Sequence, residues 1–276
     1  MKEWLLEKIL IPPTLLFINC VIILTAELTG QLFYMTGAIH IIALLFITLA
    51  ISRIFVHYHT YDKILEKFFH ASLAALFVFA VSHIVEYFNM MKFNLYSDSV
   101  FANTVNFYLI GLTLIIIGAE AFLRVHDNRS TLLTKFLILT EILLAALILL
   151  FMTKKDLVSL EPDGLTPYLY ICAVTFFGLV AIKKITRIKT YVAFSKGFAF
   201  YLTTSIILLA LATVPYIFYE LLEDKLGVPE YQSIYMSHFI FYASLSLVFL
   251  GFGKIKVSGG LYEDIKNYKE QNHISE

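Results

Sequence analysis

The sequence predicts an all-α polytopic membrane protein with eight transmembrane helices, arranged as two parallel four-helix repeats. Three observations predict it. Of the 276 residues 59% are hydrophobic and 15% charged, whereas soluble domains carry about 25% charged residues. The apolar residues gather into separate stretches of about 20, the length that crosses a ~30 Å hydrocarbon core. A shift of about 133 residues, Ser72 onto Ser205, lays the second half of the chain over the first.

The first span, about 10–29, follows the charged start MKEWLLEK. Pro12 and Pro13 fall near its beginning, where proline is tolerated, and no small-residue cleavage site follows it. We therefore expect a retained helix. Span two, about 32–56, carries Thr36, Gly37, His40 and Ala43 on one stripe and ends in ISRI. Span three, about 67–90, carries Ser72, Phe79, His83, Glu86 and Tyr87 along one stripe. Span four, about 103–125, holds Glu120 four residues before Arg124, within reach on a helix. Span five, about 133–153, holds Glu141 two turns in, a costly position that calls for a histidine partner or a proton. Span six, about 165–185, ends in ITRI. Span seven, about 197–222, has Tyr216 and Glu220 one turn apart beside Pro215, where a kink is expected. Span eight, about 231–255, aligns Tyr231, Tyr235, His238 and Tyr242.

The halves run 1–130 and 131–257, followed by a polar tail, 258–276. Lys and Arg concentrate in alternate loops, which puts both termini in the cytoplasm of a cell-membrane, multi-pass protein. The formal net charge is zero, and no basic tract argues for nucleic acid. Cys20 and Cys172 lie in apolar runs without ligand spacing. They read as small core residues, not as a disulfide framework.

The repeat does not extend to the polar groups. His83 falls on Tyr216, Glu86 and Tyr87 on Tyr219 and Glu220, His40 on Val174, and His238 on Val105. A doubled scaffold with one asymmetric site is expected.

Counting from span ends puts His40 about eight residues deep and His83 and His238 about seven. All three therefore lie in one layer ~10–12 Å below the outer surface. Intramembrane ionisable groups are costly and face the bundle interior. Three neutral imidazoles can hold a divalent transition metal such as zinc. Glu86 can be the fourth ligand, can hold a ligand in place, or can serve as catalytic base for a metal-bound water. Tyr216, Tyr235 and Tyr242 are candidate cofactor-binding groups around the cavity. The plainer account of each histidine is a hydrogen bond across helices.

Three intramembrane histidines also mark a superfamily of seven-span zinc hydrolases that includes alkaline ceramidases and adiponectin-type receptors. Its HxxxH in the last helix has no counterpart in MSHFIFYA, where His238 stands alone, and the chain is not assigned to it.

Haem b is the other cofactor that intramembrane histidines suit, with His83 and His40 or His238 as axial ligands. A second haem near the inner side would use His57, His59, His70 or His126. His70 and His83, however, are thirteen residues apart, about 140° around the helix. His57, His59 and His126 read as interfacial.

Three functions follow as expectations. The first is a ligand- or metal-binding membrane module: a sensor, a carrier or a subunit of a larger membrane complex. Its partners would be the lipid bilayer, a small-molecule or lipid ligand, and a membrane protein or a second copy of the chain. The second is a metal-dependent hydrolase of a lipid or amphiphile. The third is a b-type haem redox protein.

Overall fold

The computed structural model describes residues 32–57, 63–93, 98–126, 166–191 and 195–253, with individual helical positions between 17 and 28 and between 132 and 146. The described residues are all-α. Six long helices follow one another: α1 (Leu32–His57), α2 (Lys63–Phe93), α3 (Asp98–His126), α4 (Thr166–Tyr191), α5 (Ser195–Ile217) and, after the short α6 (Tyr219–Leu226), α7 (Glu230–Gly253). Each of the six is long and apolar enough to cross a membrane. They correspond to spans two, three, four, six, seven and eight. Spans one and five fall outside the described residues apart from isolated positions, and the tail falls outside entirely.

Hydroxyl residues survive inside these helices by bonding back to the preceding turn. Thr48 donates to Leu44 O at 2.7 Å, Thr113 to Leu109 O at 2.8 Å and Thr204 to Phe200 O at 2.9 Å. Such bonds keep polar atoms satisfied where no water competes. Large apolar side chains point outward, among them Phe55, Phe77, Phe88, Leu179 and Phe200. This is the surface a bilayer solvates.

The long helices close into a ring. α1 packs on α2, α2 on α3, α3 on α4, α4 on α5, α5 on α7, and α7 returns to α1. Two close approaches fix the tightest pairs. A side chain at Gly118 of α3 would meet Ala71 Cβ at 2.5 Å and Phe68 Cα at 3.3 Å of α2, and one at Gly251 of α7 would meet Tyr201 Cβ of α5 at 3.2 Å. α7 runs alongside α1 in the same direction. Tyr242 bonds Ile39 near one end, and Gly253 lies against the Arg53 guanidinium near the other.

Span seven is not one helix with a kink but two helices. α5 ends at Ile217, and Phe218 leaves helical geometry at φ −110 and ψ 24 before α6 begins. Pro215 is the cause, since it has no N–H for the preceding turn and its ring crowds that turn's carbonyl. α6 then stops at Gly227, whose φ of 66 is left-handed. Its N–H donates to Glu223 O at 3.0 Å, and that of Val228 to Leu222 O at 3.1 Å, a glycine stop that satisfies orphan carbonyls.

The bundle interior is layered. Towards the α6 end lies a polar cluster. Below it Phe79, Tyr108 and Phe241 pack together, the last two stacked at 5.5 Å and 8°. Next come the serines Ser72, Ser205 and Ser244, then the aromatics Phe68, Phe69, Phe198 and Phe252. A charged layer with Arg53, Glu120 and Lys184 ends the sequence.

One local expectation is corrected here. Cys20 and Cys172 are exposed on helix surfaces, not buried in the core. Lipid-facing and core positions are both apolar, so hydrophobicity does not separate them. Glu120 also finds a partner the sequence did not point to, Lys184 of the neighbouring helix α4, at 2.5 Å.

Candidate metal centre

Four side chains from three helices meet in the polar cluster. α1 supplies His40, α2 supplies His83 and Glu86 one turn apart, and α7 supplies His238. Every one is buried, between 0 and 3% exposed. One potential ligand atom from each lies within 4.8 Å of all the others.

The geometry centres on one oxygen, Glu86 Oε2. His40 Nε2 lies 3.1 Å from it, His83 Nδ1 3.6 Å and His238 Nε2 3.9 Å. The three rings surround it with centroids 4.6–5.9 Å apart. The other oxygen, Oε1, is held from behind. Ser82 Oγ donates to it at 3.0 Å and Thr104 Oγ1 of α3 at 2.5 Å. The carboxylate is thereby oriented, with Oε2 turned to the imidazoles.

The helices lock this arrangement. Tyr242 donates its hydroxyl to Ile39 O, tying α7 to α1 beside His40. His238 Nδ1 lies 3.0 Å from Ile234 O, a partner that takes its N–H and turns Nε2 inward. Tyr216 comes from α5, at the residue after Pro215. Its hydroxyl donates to Glu86 Oε2 at 3.2 Å and lies 3.2 Å from His238 Nδ1.

His83 is the exception. Among the described residues neither of its ring nitrogens has a hydrogen-bond partner, and both are buried. Its ring lies 4.7 Å from Phe241 instead. A buried polar group without a partner costs free energy, so this imidazole calls for a ligand that the described residues do not provide.

The donor set fits a divalent transition metal. Three imidazoles and one carboxylate oxygen are ligands zinc takes at about 2.0–2.2 Å, which places tetrahedral ligands roughly 3.3–3.5 Å apart. The widest pair, 4.8 Å apart, closes to that spacing by about 1.4 Å, shared between two side chains within reach of small rotations.

Of the residues the sequence singled out, His40, His83, Glu86, His238 and Tyr216 come together, and Tyr242 braces them. Tyr235 is buried one turn from His238, and its ring contact is with Tyr231 at 5.9 Å. Glu220 accepts from Tyr219 at 3.2 Å on α6, away from the cluster. His70 is exposed. The side chains of His57, His59, His126 and Glu141 lie outside the described residues.

Sequence reasoning missed Ser82 and Thr104. Ser82 had a signal, standing one turn before Glu86 on the same face. Thr104 had none, because its role depends on the register of α3 against α2. No protein-family model, curated protein or solved structure matches the chain.

Proposed function

We propose that the protein is an integral membrane module that binds one divalent transition metal, zinc foremost, through His40, His83, Glu86 and His238. The observation that carries this reading is the convergence of four buried ligand atoms within 4.8 Å, drawn from helices distant in sequence. The hydrogen-bond vacancy of His83 supports it. The positive-inside distribution of Lys and Arg puts the centre in the outer half of the cell membrane, with both termini cytoplasmic. A sensor, a carrier or a subunit of a larger membrane complex would each use such a centre.

Four protein ligands complete a tetrahedron, as in zinc sites that do no chemistry, whereas catalytic sites keep one position for water. Glu86 is a ligand in this reading and not a base, which ranks the lipid or amphiphile hydrolase second. Haem is disfavoured by the ring packing. Imidazoles 4.6–5.9 Å apart around a shared carboxylate leave no slot for a porphyrin between them.

The same ring supports the duplication. Replacing α1, α2 and α3 by α4, α5 and α7 leaves the order of neighbours unchanged. The close approach of Gly118 to Phe68 has its equivalent in Gly251 against Tyr201, at the shift that takes Ser72 to Ser205.

The test is metal content together with an absorption spectrum on gently purified protein. About one equivalent of metal per chain is expected, lost in His83→Ala, with no Soret band. A colourless, metal-free protein that stays so after metal addition overturns the reading.

A further inference from the structure

Midway along the bundle, between the pair α2–α3 and the pair α5–α7, lies a cavity of about 30 Å³. Its lining is mostly apolar, including Phe79, Phe241 and Phe252, but three serines reach it: Ser72, Ser205 and Ser244. All three are buried, at 2–5% exposure.

The protons of these hydroxyls are already committed. Ser72 donates to Phe68 O at 2.9 Å and Ser244 to Ser205 O at 2.8 Å. The Ser205 and Ser244 oxygens lie 2.9 Å apart. Because Ser244 has given its one proton to the carbonyl, Ser205 is the donor in that contact. A serine hydroxyl has one proton and two lone pairs. The cavity therefore receives lone pairs and no donor from its serines.

A guest that fits must be small and must give hydrogen bonds. Water meets both conditions. A cavity holds one when its volume exceeds roughly 10–15 Å³ and it finds about 2–4 polar partners. An anion or a carbonyl finds no donor here, and a bare cation finds no counter-charge among the lining residues.

We propose that this cavity is an internal hydration site, holding one or two waters that donate to the Ser72, Ser205 and Ser244 oxygens. It belongs to the scaffold and does not rest on occupancy of the metal centre. Phe241 separates the two, since its ring faces His83 on one side and lines the cavity on the other. The water ties α2 to α5 and α7 through the middle of the ring, where α2 and α5 are not ring neighbours.

Radiolytic hydroxyl-radical labelling of the full chain in micelles, read by mass spectrometry, tests this. Radicals form at bound water, so buried side chains beside it oxidise. Phe79 and Phe241 should be oxidised several times faster than Phe122 and Phe177, which are equally buried away from the cavity. The double variant Ser205→Ala/Ser244→Ala should bring them down to the control rate, with metal content unchanged. If that variant does not fold, Ser72→Ala replaces it and must lower the rate, because its hydroxyl bonds only within its own helix. Oxidation of Phe79 and Phe241 at the control rate in the parent chain shows a dry cavity and overturns the proposal. So does a rate that the serine variants leave unchanged.

Discussion

Among the described residues two carboxylates are buried, Glu86 and Glu120, and they are balanced in opposite ways. Glu120, at 0% exposure, has a lysine ammonium 2.5 Å away. Glu86, at 3%, has among the described residues only imidazoles and hydroxyls: His40, His83, His238, Ser82, Thr104 and Tyr216. The first carries its counter-charge in the chain. The second is surrounded by groups that are neutral or conditionally charged, and one of them, His83, has no hydrogen-bond partner among the described residues. The lesson is that a buried acid with a lysine reads as structure, while a buried acid ringed by imidazoles reads as a place for an external cation.

Replacing each carboxylate by its amide sharpens that contrast most. Glu86→Gln keeps the shape but removes the anionic ligand, so metal affinity should fall by more than about 100-fold, beyond the usual cost of losing an outer partner. Equilibrium dialysis of the purified variant measures it, and unchanged binding would erase the distinction between the two sites. Glu120→Gln should leave metal content at the parent level.

Lys184→Met comes next. It removes the ammonium 2.5 Å from buried Glu120, and breaking a buried pair from one side costs about 3–5 kcal/mol. Thermal unfolding in detergent should show the loss, and Glu120→Gln/Lys184→Met should recover most of it. No recovery would mean that Lys184 matters for packing and not for charge.

Tyr216→Phe removes one hydrogen bond to Glu86 Oε2, the oxygen turned to the imidazoles, while keeping the ring. Metal affinity should drop by about 10–100-fold, with little change in unfolding temperature. The smallest effect belongs to Thr104→Val. It takes one of two donors from Glu86 Oε1 and should weaken binding by about tenfold, with Ser82 still in place.

That the three histidines share one level of the bundle was legible in the sequence, but their convergence was not. Counting residues from span ends puts His40, His83 and His238 in one layer, because a helix rises a fixed distance per residue. Whether they meet depends on which helices are neighbours, and α7 lies against α1 only because the ring closes there. Lys184 was not foreseen as a partner of Glu120 for a related reason. The i, i+4 rule is local, and Lys184 stands 64 residues away. Pro215 marked the disturbance in span seven, yet the chain leaves helical geometry only at Phe218, three residues later. The cysteines were misplaced because lipid makes the outside as apolar as the inside.

The closing contact of the ring also sets an order in time. A ribosome delivers His83 and Glu86 long before His238, some 150 residues later, or about 8–30 s at common elongation rates. Through that interval a carboxylate and two imidazoles wait in the translocation machinery or the bilayer without their last partner. α7 then completes the ligand set and, through Tyr242, the seam with α1. Acquisition of metal would thus report that α7 has been inserted, and a nascent chain halted before α7 would stay empty.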